Sequence, residues 1–202
     1  MGDEKRHYFE QQAASWDERL PLDLADQLER LLAPFAPELA AASRILEIGS
    51  GTGWLAAALR AHAPAARLLC IDFAHAMLAA ARQRSLEVAF VQAEAERLPV
   101  QSAAVDVVIC HNSFPHFDDR ERSLAEIGRV LRPAGHLLIV HNLARGVVNA
   151  IHQAAGGPIA HDELLPAGAL HELLRCAGYQ AIAIEDAPAR YTARAQWPGG
   201  TA

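Results

Sequence analysis

The amino-acid sequence predicts an α/β fold: a mostly parallel sheet with helices on both faces. Three observations carry that expectation. Short apolar runs alternate with segments of helical spacing between residues 44 and 141, the order in which a chain winds a parallel sheet. Those runs are nearly continuous in apolar residues, as strands buried on both faces are. The first run ends in a glycine-rich loop that opens a helix, the place where such sheets receive a ligand.

The elements follow in order. The first forty or so residues read as helices, with Leu20, Leu22, Leu24, Leu28, Leu31 and Leu32 near helical spacing and Pro34 and Pro37 closing the segment. Residues 44–49 form a first buried strand and 54–61 an Ala/Leu helix. Residues 67–72 are a second strand, 74–84 a helix, 88–92 a third strand and 105–110 a fourth. A helix spans about 120–131, Pro133-Ala134-Gly135 is a turn, and 136–141 is a fifth strand. Beyond it lie 147–155, a Gly156-Gly157-Pro158 break and a helix over about 166–176 stopped by Gly178. Residues 180–185 and 190–196, on either side of Pro188, make a closing antiparallel hairpin.

Composition bounds the function. A chain of 202 residues can bury about 70% of its unfolded surface, enough for one core, so one domain is expected. With 51% hydrophobic and 21% charged residues it is not mainly disordered. The net charge of −6 argues against a nucleic-acid partner, which calls for a basic face. No run of 18 apolar residues and no apolar leader occurs, so neither a membrane span nor a signal peptide is expected. Cys70, Cys110 and Cys176 are odd in number and form no CxxC pair. They read as reduced thiols of a cytoplasmic protein.

The loop Glu47-Ile48-Gly49-Ser50-Gly51-Thr52-Gly53-Trp54 follows a strand and opens a helix. Its glycines allow close approach of a ligand to the backbone. A dinucleotide site needs a small residue at position 54, and Trp54 makes a NAD-dependent oxidoreductase the poorer alternative. So does the lack of a Tyr/Lys proton relay, Lys5 being the lone lysine. Asp72 ends the second strand about twenty residues on, where a carboxylate accepts from ribose hydroxyls. An acid just past the third strand, within 92–99, takes an adenine amino group.

ILEIGSGTG, IDFAHAMLAAAR, VQAEAERLPVQSAAVDVVICHNSFPHFDD and EIGRVLRPAGHLLIV, in that order over about residues 44–142, resemble the motif series of class I S-adenosylmethionine-dependent methyltransferases. The resemblance is to the small-molecule type, similar to the ubiquinone/menaquinone-biosynthesis methyltransferases. YFEQQAASWDE resembles the N-terminal helix that caps the cofactor in that group. The resemblance implies a Rossmann-like, seven-stranded, mostly parallel sheet and S-adenosyl-L-methionine as cofactor. Residues 1–202 would be one methyltransferase domain, with a helical cap over 1–40, a cofactor-binding core over 44–142 and substrate-side helices and strands over 146–202. Carried across by motif, Glu47, Gly49, Gly51 and Gly53 would hold the methionyl end. Asp72 would bind ribose, with Phe73 and Met77 near the adenine. Glu94 and Ala95 would meet the adenine edge, Glu94 standing where the family more often has Asp. His111 would lie beneath the cofactor.

Methyl transfer from a sulfonium is an in-line displacement, so the protein mainly aligns the acceptor and excludes water. A general base helps only where the acceptor loses a proton. His141, at the end of the fifth strand, is the leading candidate for a substrate or base role, with His111 beside it; the alternative is a hydrogen-bonded strand-end histidine. His116, His141 and His152 suggest a second possibility, a divalent metal assisting the acceptor, although their spacing matches no compact ligand motif. A non-enzymatic cofactor- or metal-binding protein on the same fold is the remaining alternative. The partner implied is a small-molecule acceptor; the methylated atom (O, N, C or S) and the oligomeric state stay open at this level. The N-terminal helices and the segment 146–166 are expected to roof the site.

Overall fold

The computed structural model describes residues 2–84 and 87–199. Helices α1 (Gly2–Gln12), α2 (Leu24–Leu32) and α3 (Ala36–Ala41) precede the sheet. Then β1 (Arg44–Ile48), α4 (Trp54–His62), β2 (Arg67–Asp72), α5 (His75–Arg82) and β3 (Ala89–Gln92) alternate. They continue with β4 (Val105–His111), α6 (Arg120–Val130), β5 (Leu131–His141), α7 (Arg145–Ala155), α8 (Ala167–Cys176), β6 (Gln180–Ala187) and β7 (Arg190–Gln196).

The seven strands lie in the order β3-β2-β1-β4-β5-β7-β6. The first five are parallel, and β7 runs antiparallel to both β5 and β6. The fold expected from the alternation of runs is therefore present, hairpin included. Neighbouring residues of a strand serve opposite faces. Ile45 packs with Leu28, Leu32, Leu39, Leu55 and Leu59 on the side of α2–α4. Leu46 and Ile48 pack with Leu124, Ile127, Leu170 and Leu174 on the side of α6 and α8. Strands flanked in this way have no solvent face, which is why they read as unbroken apolar runs. The chain winds outward in opposite directions from β1 and β4, so a crevice opens between their carboxyl ends.

Three local expectations are corrected. The turn at Pro133-Ala134-Gly135 lies inside β5, because Ala134 N–H donates to Trp197 O (2.8 Å) and Trp197 N–H to Gly135 O (2.8 Å). The bend survives as a bulge, with Ala134 at φ 65° and a register shift against β4. Leu20 and Leu22 stand outside α2: Pro21 follows an extended Leu20, and Leu22 is fully exposed at 108%. Val88 precedes β3 rather than joining it. No helix among the described residues is long and apolar enough to cross a membrane. Cys70 and Cys110 are buried free thiols, and Cys176 is free and exposed.

Candidate active site

A cavity of about 600 Å³ opens at the carboxyl ends of all five parallel strands, within the size range of small-molecule sites. Gly49, Asp72, Glu94, His111 and His141 bring one strand end each to its wall.

The glycine loop is held by backbone. Gly49 N–H (2.7 Å) and Ser50 N–H (3.0 Å) donate to Ile71 O. Gly49, Gly51 and Gly53 have φ of 75°, 52° and 84°, in the region L side chains rarely enter. Each glycine answers a different need. A Cβ on Gly49 would stand 2.3 Å from Ser113 Cβ, one on Gly53 would meet Ala81 Cβ at 3.1 Å, and one on Gly51 would meet nothing within 4 Å. Gly49 and Gly51 line the cavity, whereas Gly53 lets α4 close on α5.

Two carboxylates lie under this loop. Asp72 Oδ2 accepts from Gly51 N–H (2.8 Å) and Oδ1 from Ala74 N–H (2.9 Å). Burial pushes its pKa up to about 6 against those two donors. Glu47 is buried and accepts from Cys70 Sγ–H (3.2 Å). It is not among the cavity-lining residues. Burial raises its pKa to about 8, opposed by the Cys70 bond and reinforced by the Asp72 charge. Of the other residues expected at the cofactor, Phe73, Met77, Glu94, Ala95 and His111 all line the cavity.

The roof is a set of N-terminal side chains and α7. Glu10 of α1 caps α5, accepting from His75 N–H (2.6 Å) and Ala76 N–H (2.7 Å). Phe9 packs its ring 5.6 Å from Phe73 and 5.1 Å from His116. Lys5 is buried, with its ammonium 3.0 Å from Asp118 and 2.7 Å from Asp162. Val148, Ile151 and Ile159 also line the cavity, Ile159 in one cluster with Phe9 and Met77.

Four histidines, His111, His116, His141 and His152, line the end of the cavity beyond β4 and β5. Burial lowers the pKa of His111 to about 4, lowers that of His116, and holds His141 well below its ordinary value. His111 Nε2 lies 3.1 Å from Asn112 Nδ2, which also donates to Asn142 Oδ1 (2.9 Å). Asn142 donates in turn to Gln27 Oε1 of α2 (2.8 Å). His141 is 0% exposed, and neither of its ring nitrogens has a hydrogen-bond partner.

The metal expectation for His116, His141 and His152 is corrected. His116 Nδ1 is engaged by Asp162 Oδ2 (2.7 Å) and His152 Nδ1 by Asp162 O (2.5 Å). The carboxylate that would complete a ligand set already holds Lys5. Among the described residues no group of three His, Cys, Asp or Glu is disposed to hold a metal ion. Phe114, at 1% exposure, is core, and Arg145 pairs with Asp186 (2.9 Å). Ser50 and Trp54 went unrecognised as site residues. Ser50 Oγ and Trp54 Nε1 are buried at the cavity wall without partners, and the Arg84 guanidinium lies 4.0 Å over the Trp54 ring. The signal was present, a large side chain carrying a donor where a dinucleotide loop tolerates only a small one.

Residues 46–139 match the model of the methyltransferase domain family. The demethylmenaquinone methyltransferase of Thermus thermophilus is 43% identical over 104 residues, 50% of this chain and 47% of that protein. The malonyl-[acyl-carrier protein] O-methyltransferase of Geobacter sulfurreducens is 34% identical over 133 residues, 64% of this chain and 49% of that protein. The chain thus spans about half the length of these relatives. A SAM-dependent methyltransferase of Thermotoga maritima shares the fold with a TM-score of 0.71 at 21% identity, over 95% of this chain and 99% of that one. Motif series, sheet order and domain match agree: residues 46–139 match a methyltransferase domain, carried on a seven-stranded sheet with an antiparallel closing hairpin.

Proposed function

We propose that this chain transfers the methyl group of S-adenosylmethionine to a small organic acceptor at the carboxyl ends of β4 and β5. The observation that carries the reading is a bare backbone loop paired with a buried carboxylate on one cavity wall, Gly51 N–H bonded to Asp72.

The residues present fit the cofactor. Open space beside Gly51 admits a ligand against the backbone. Ser50 Oγ and Trp54 Nε1 are buried groups awaiting partners, suited to the methionyl carboxylate. Each Asp72 oxygen keeps a lone pair for a ribose hydroxyl. Phe73 and Met77 suit the adenine faces, and Glu94 with Ala95 its edge. Glu47, bonded to Cys70 and outside the cavity wall, would support the loop rather than touch the cofactor. When bound, the sulfonium supplies an activated methyl group with a neutral thioether as leaving group. The chain's own work is alignment and exclusion of water, the task of Phe9, Trp16, Leu24 and Val148 around the cavity. His111 and His141 stand on the acceptor side, outside the cofactor loop. By their names the relatives act on demethylmenaquinone and on malonyl-acyl carrier protein, and a neutral ring or acyl group is the class of acceptor that an apolar roof favours.

Calorimetric titration with S-adenosylhomocysteine tests the reading. Binding is expected, with Asp72→Ala weakening it about 100-fold through loss of charge-assisted hydrogen bonds. No binding of the homocysteine or methionine form, or equal binding by Asp72→Ala, would overturn it.

A further inference from the structure

We infer that the end of the cavity between the turn after β4 and α7 binds an uncharged primary amino group on a ring, held by N–H bonds to His116 Nε2 and His152 Nε2, and that this nitrogen is the atom methylated. The assignment rests on the methyl-transfer reading and narrows it to a substrate class.

The first ground is tautomer. His116 Nδ1 lies 2.7 Å from Asp162 Oδ2, and His152 Nδ1 lies 2.5 Å from Asp162 O. A carbonyl oxygen only accepts, so His152 Nδ1 carries the hydrogen. Burial pushes the Asp162 carboxyl up, but its bonds to His116 and Lys5 outweigh that and hold it below its ordinary value. Asp162 is therefore ionised and also only accepts, so His116 Nδ1 carries a hydrogen too. Burial lowers the His116 pKa, which keeps the ring neutral. A neutral imidazole has one N–H, which leaves each Nε2 as a bare acceptor.

The second ground is what these acceptors face. Both residues line the cavity, with ring centroids 4.7 Å apart. Among the described residues neither Nε2 has a partner, and neither is fully enclosed, whereas both His141 nitrogens are buried. Asn149, next to His152 on α7, is engaged at both amide atoms by Leu164 O and Leu164 N–H. Lys5 is engaged by Asp118 and Asp162. These side chains thus offer two acceptors and no free donor. A nitrogen bearing two hydrogens reaches both rings at this spacing with bonds of ordinary length. A hydroxyl has one hydrogen and a carboxylate none, and either would shut in an acceptor without a partner. Phe9, 5.1 Å from the His116 ring, and Val148 and Ile159 make the surroundings apolar, which penalises an ammonium. An arylamine supplies two N–H groups without a charge.

The chemistry balances. The amine nitrogen gains the methyl carbon as the carbon–sulfur bond breaks, the electron pair of that bond staying on sulfur. One N–H proton passes to His116 Nε2 and the other stays on the product. One positive charge is present before the step, on sulfur, and one after it, on the His116 imidazolium, with Asp162 against it at 2.7 Å. The product meets only one acceptor, is held less tightly and leaves after a single methylation.

The test uses the full chain saturated with S-adenosylhomocysteine and four probes on one ring: aniline, N-methylaniline, N,N-dimethylaniline and phenol, all uncharged on the mildly alkaline side of neutrality. Aniline is expected to bind most tightly, with about tenfold lost for each N–H removed and phenol level with N-methylaniline. His116→Phe and His152→Phe should each erase one of those steps. In the parent chain the imidazole nitrogen resonances should show a bare Nε2 on both rings and should shift on aniline binding, a readout that needs no variant to fold. With S-adenosylmethionine, aniline should yield N-methylaniline as the end product. Equal affinities across the series, tightest binding of phenol, a hydrogen on either Nε2, no N-methylaniline, or no probe binding to the loaded chain would overturn the assignment while methyl transfer still stood. Failure to bind S-adenosylhomocysteine at all would remove both.

Discussion

The two ends of the cavity are built on different principles. At the β1–β2 end the walls are mostly backbone held by its own hydrogen bonds: Gly49 and Ser50 N–H bond to Ile71 O and Asp72 accepts two N–H groups, while Ser50 Oγ and Trp54 Nε1 stay unpaired. At the β4–β5 end the walls are side chains, and the most enclosed of them, His141, is unsatisfied. A backbone cradle offers one ligand shape and tolerates few substitutions. A side-chain chamber can be refitted to another acceptor without disturbing the sheet. The difference teaches where stability and where selectivity reside in this molecule.

Substitutions should separate the two ends. The largest effect is expected from Gly49→Ala, where a positive φ combines with a 2.3 Å approach to Ser113 Cβ. Strain and overpacking together should cost about 3 kcal/mol, read by denaturant unfolding. A cost near zero would mean that the loop is not the rigid half.

Lys5→Met should come next. It leaves Asp162, whose side chain is 9% exposed, with His116 as its remaining side-chain partner, and frees Asp118, which at 32% is partly solvated. Breaking a fully buried pair costs several kcal/mol; with one partner half in water, about 2 kcal/mol is expected. Faster amide exchange should be confined to α1 and the segment around Asp162. Unchanged exchange there would show that Phe9 and Glu10 hold the roof alone.

Titration of Glu47 should give a graded effect, spread over the pH range between about 4.5 and 8. Its folded pKa of about 8 lies above the ordinary 4.5, so the folded chain binds more protons than the unfolded chain between those values. Stability contributed by the protonated form is therefore complete below about pH 4.5 and is lost as pH rises toward 8, at no more than about 1.4 kcal/mol per pH unit. Glu47→Gln should flatten that part of the stability–pH profile. A profile of equal slope in both proteins would place the titrating group elsewhere.

The smallest effect on stability belongs to His141→Leu. No hydrogen bond is lost with the imidazole, and an unsatisfied buried group is removed, so the change should stay within about 0.5 kcal/mol or stabilise. A large loss of stability would show that the imidazole is a structural partner of Tyr191 instead.

Legibility in the sequence follows the same division. β1, β2 and β4 were readable because strands buried on both faces must be apolar throughout, and the closing hairpin as two short segments on either side of Pro188. The loop was readable because positive φ at Gly49 and Gly51 leaves glycine little competition. Trp54 was legible as a donor-bearing side chain at the end of the loop, but that it and Ser50 lie buried without partners depends on what packs around them. The turn at residues 133–135 was misread because Trp197, more than sixty positions on, supplies its hydrogen bonds.

The sequence by itself determined the α/β sheet, its ligand-bearing first loop and the carboxylate at the end of the second strand. All three arise from local backbone preference and from the pattern of apolar residues along the chain. Only the tertiary structure decided that Glu47 lies beneath the loop and outside the cavity wall, that Asp162 holds Lys5 and leaves no metal ligand set, and that His141 alone among four histidines lacks a partner. Those outcomes depend on which distant side chains share a buried space, and desolvation there sets the charge of each group.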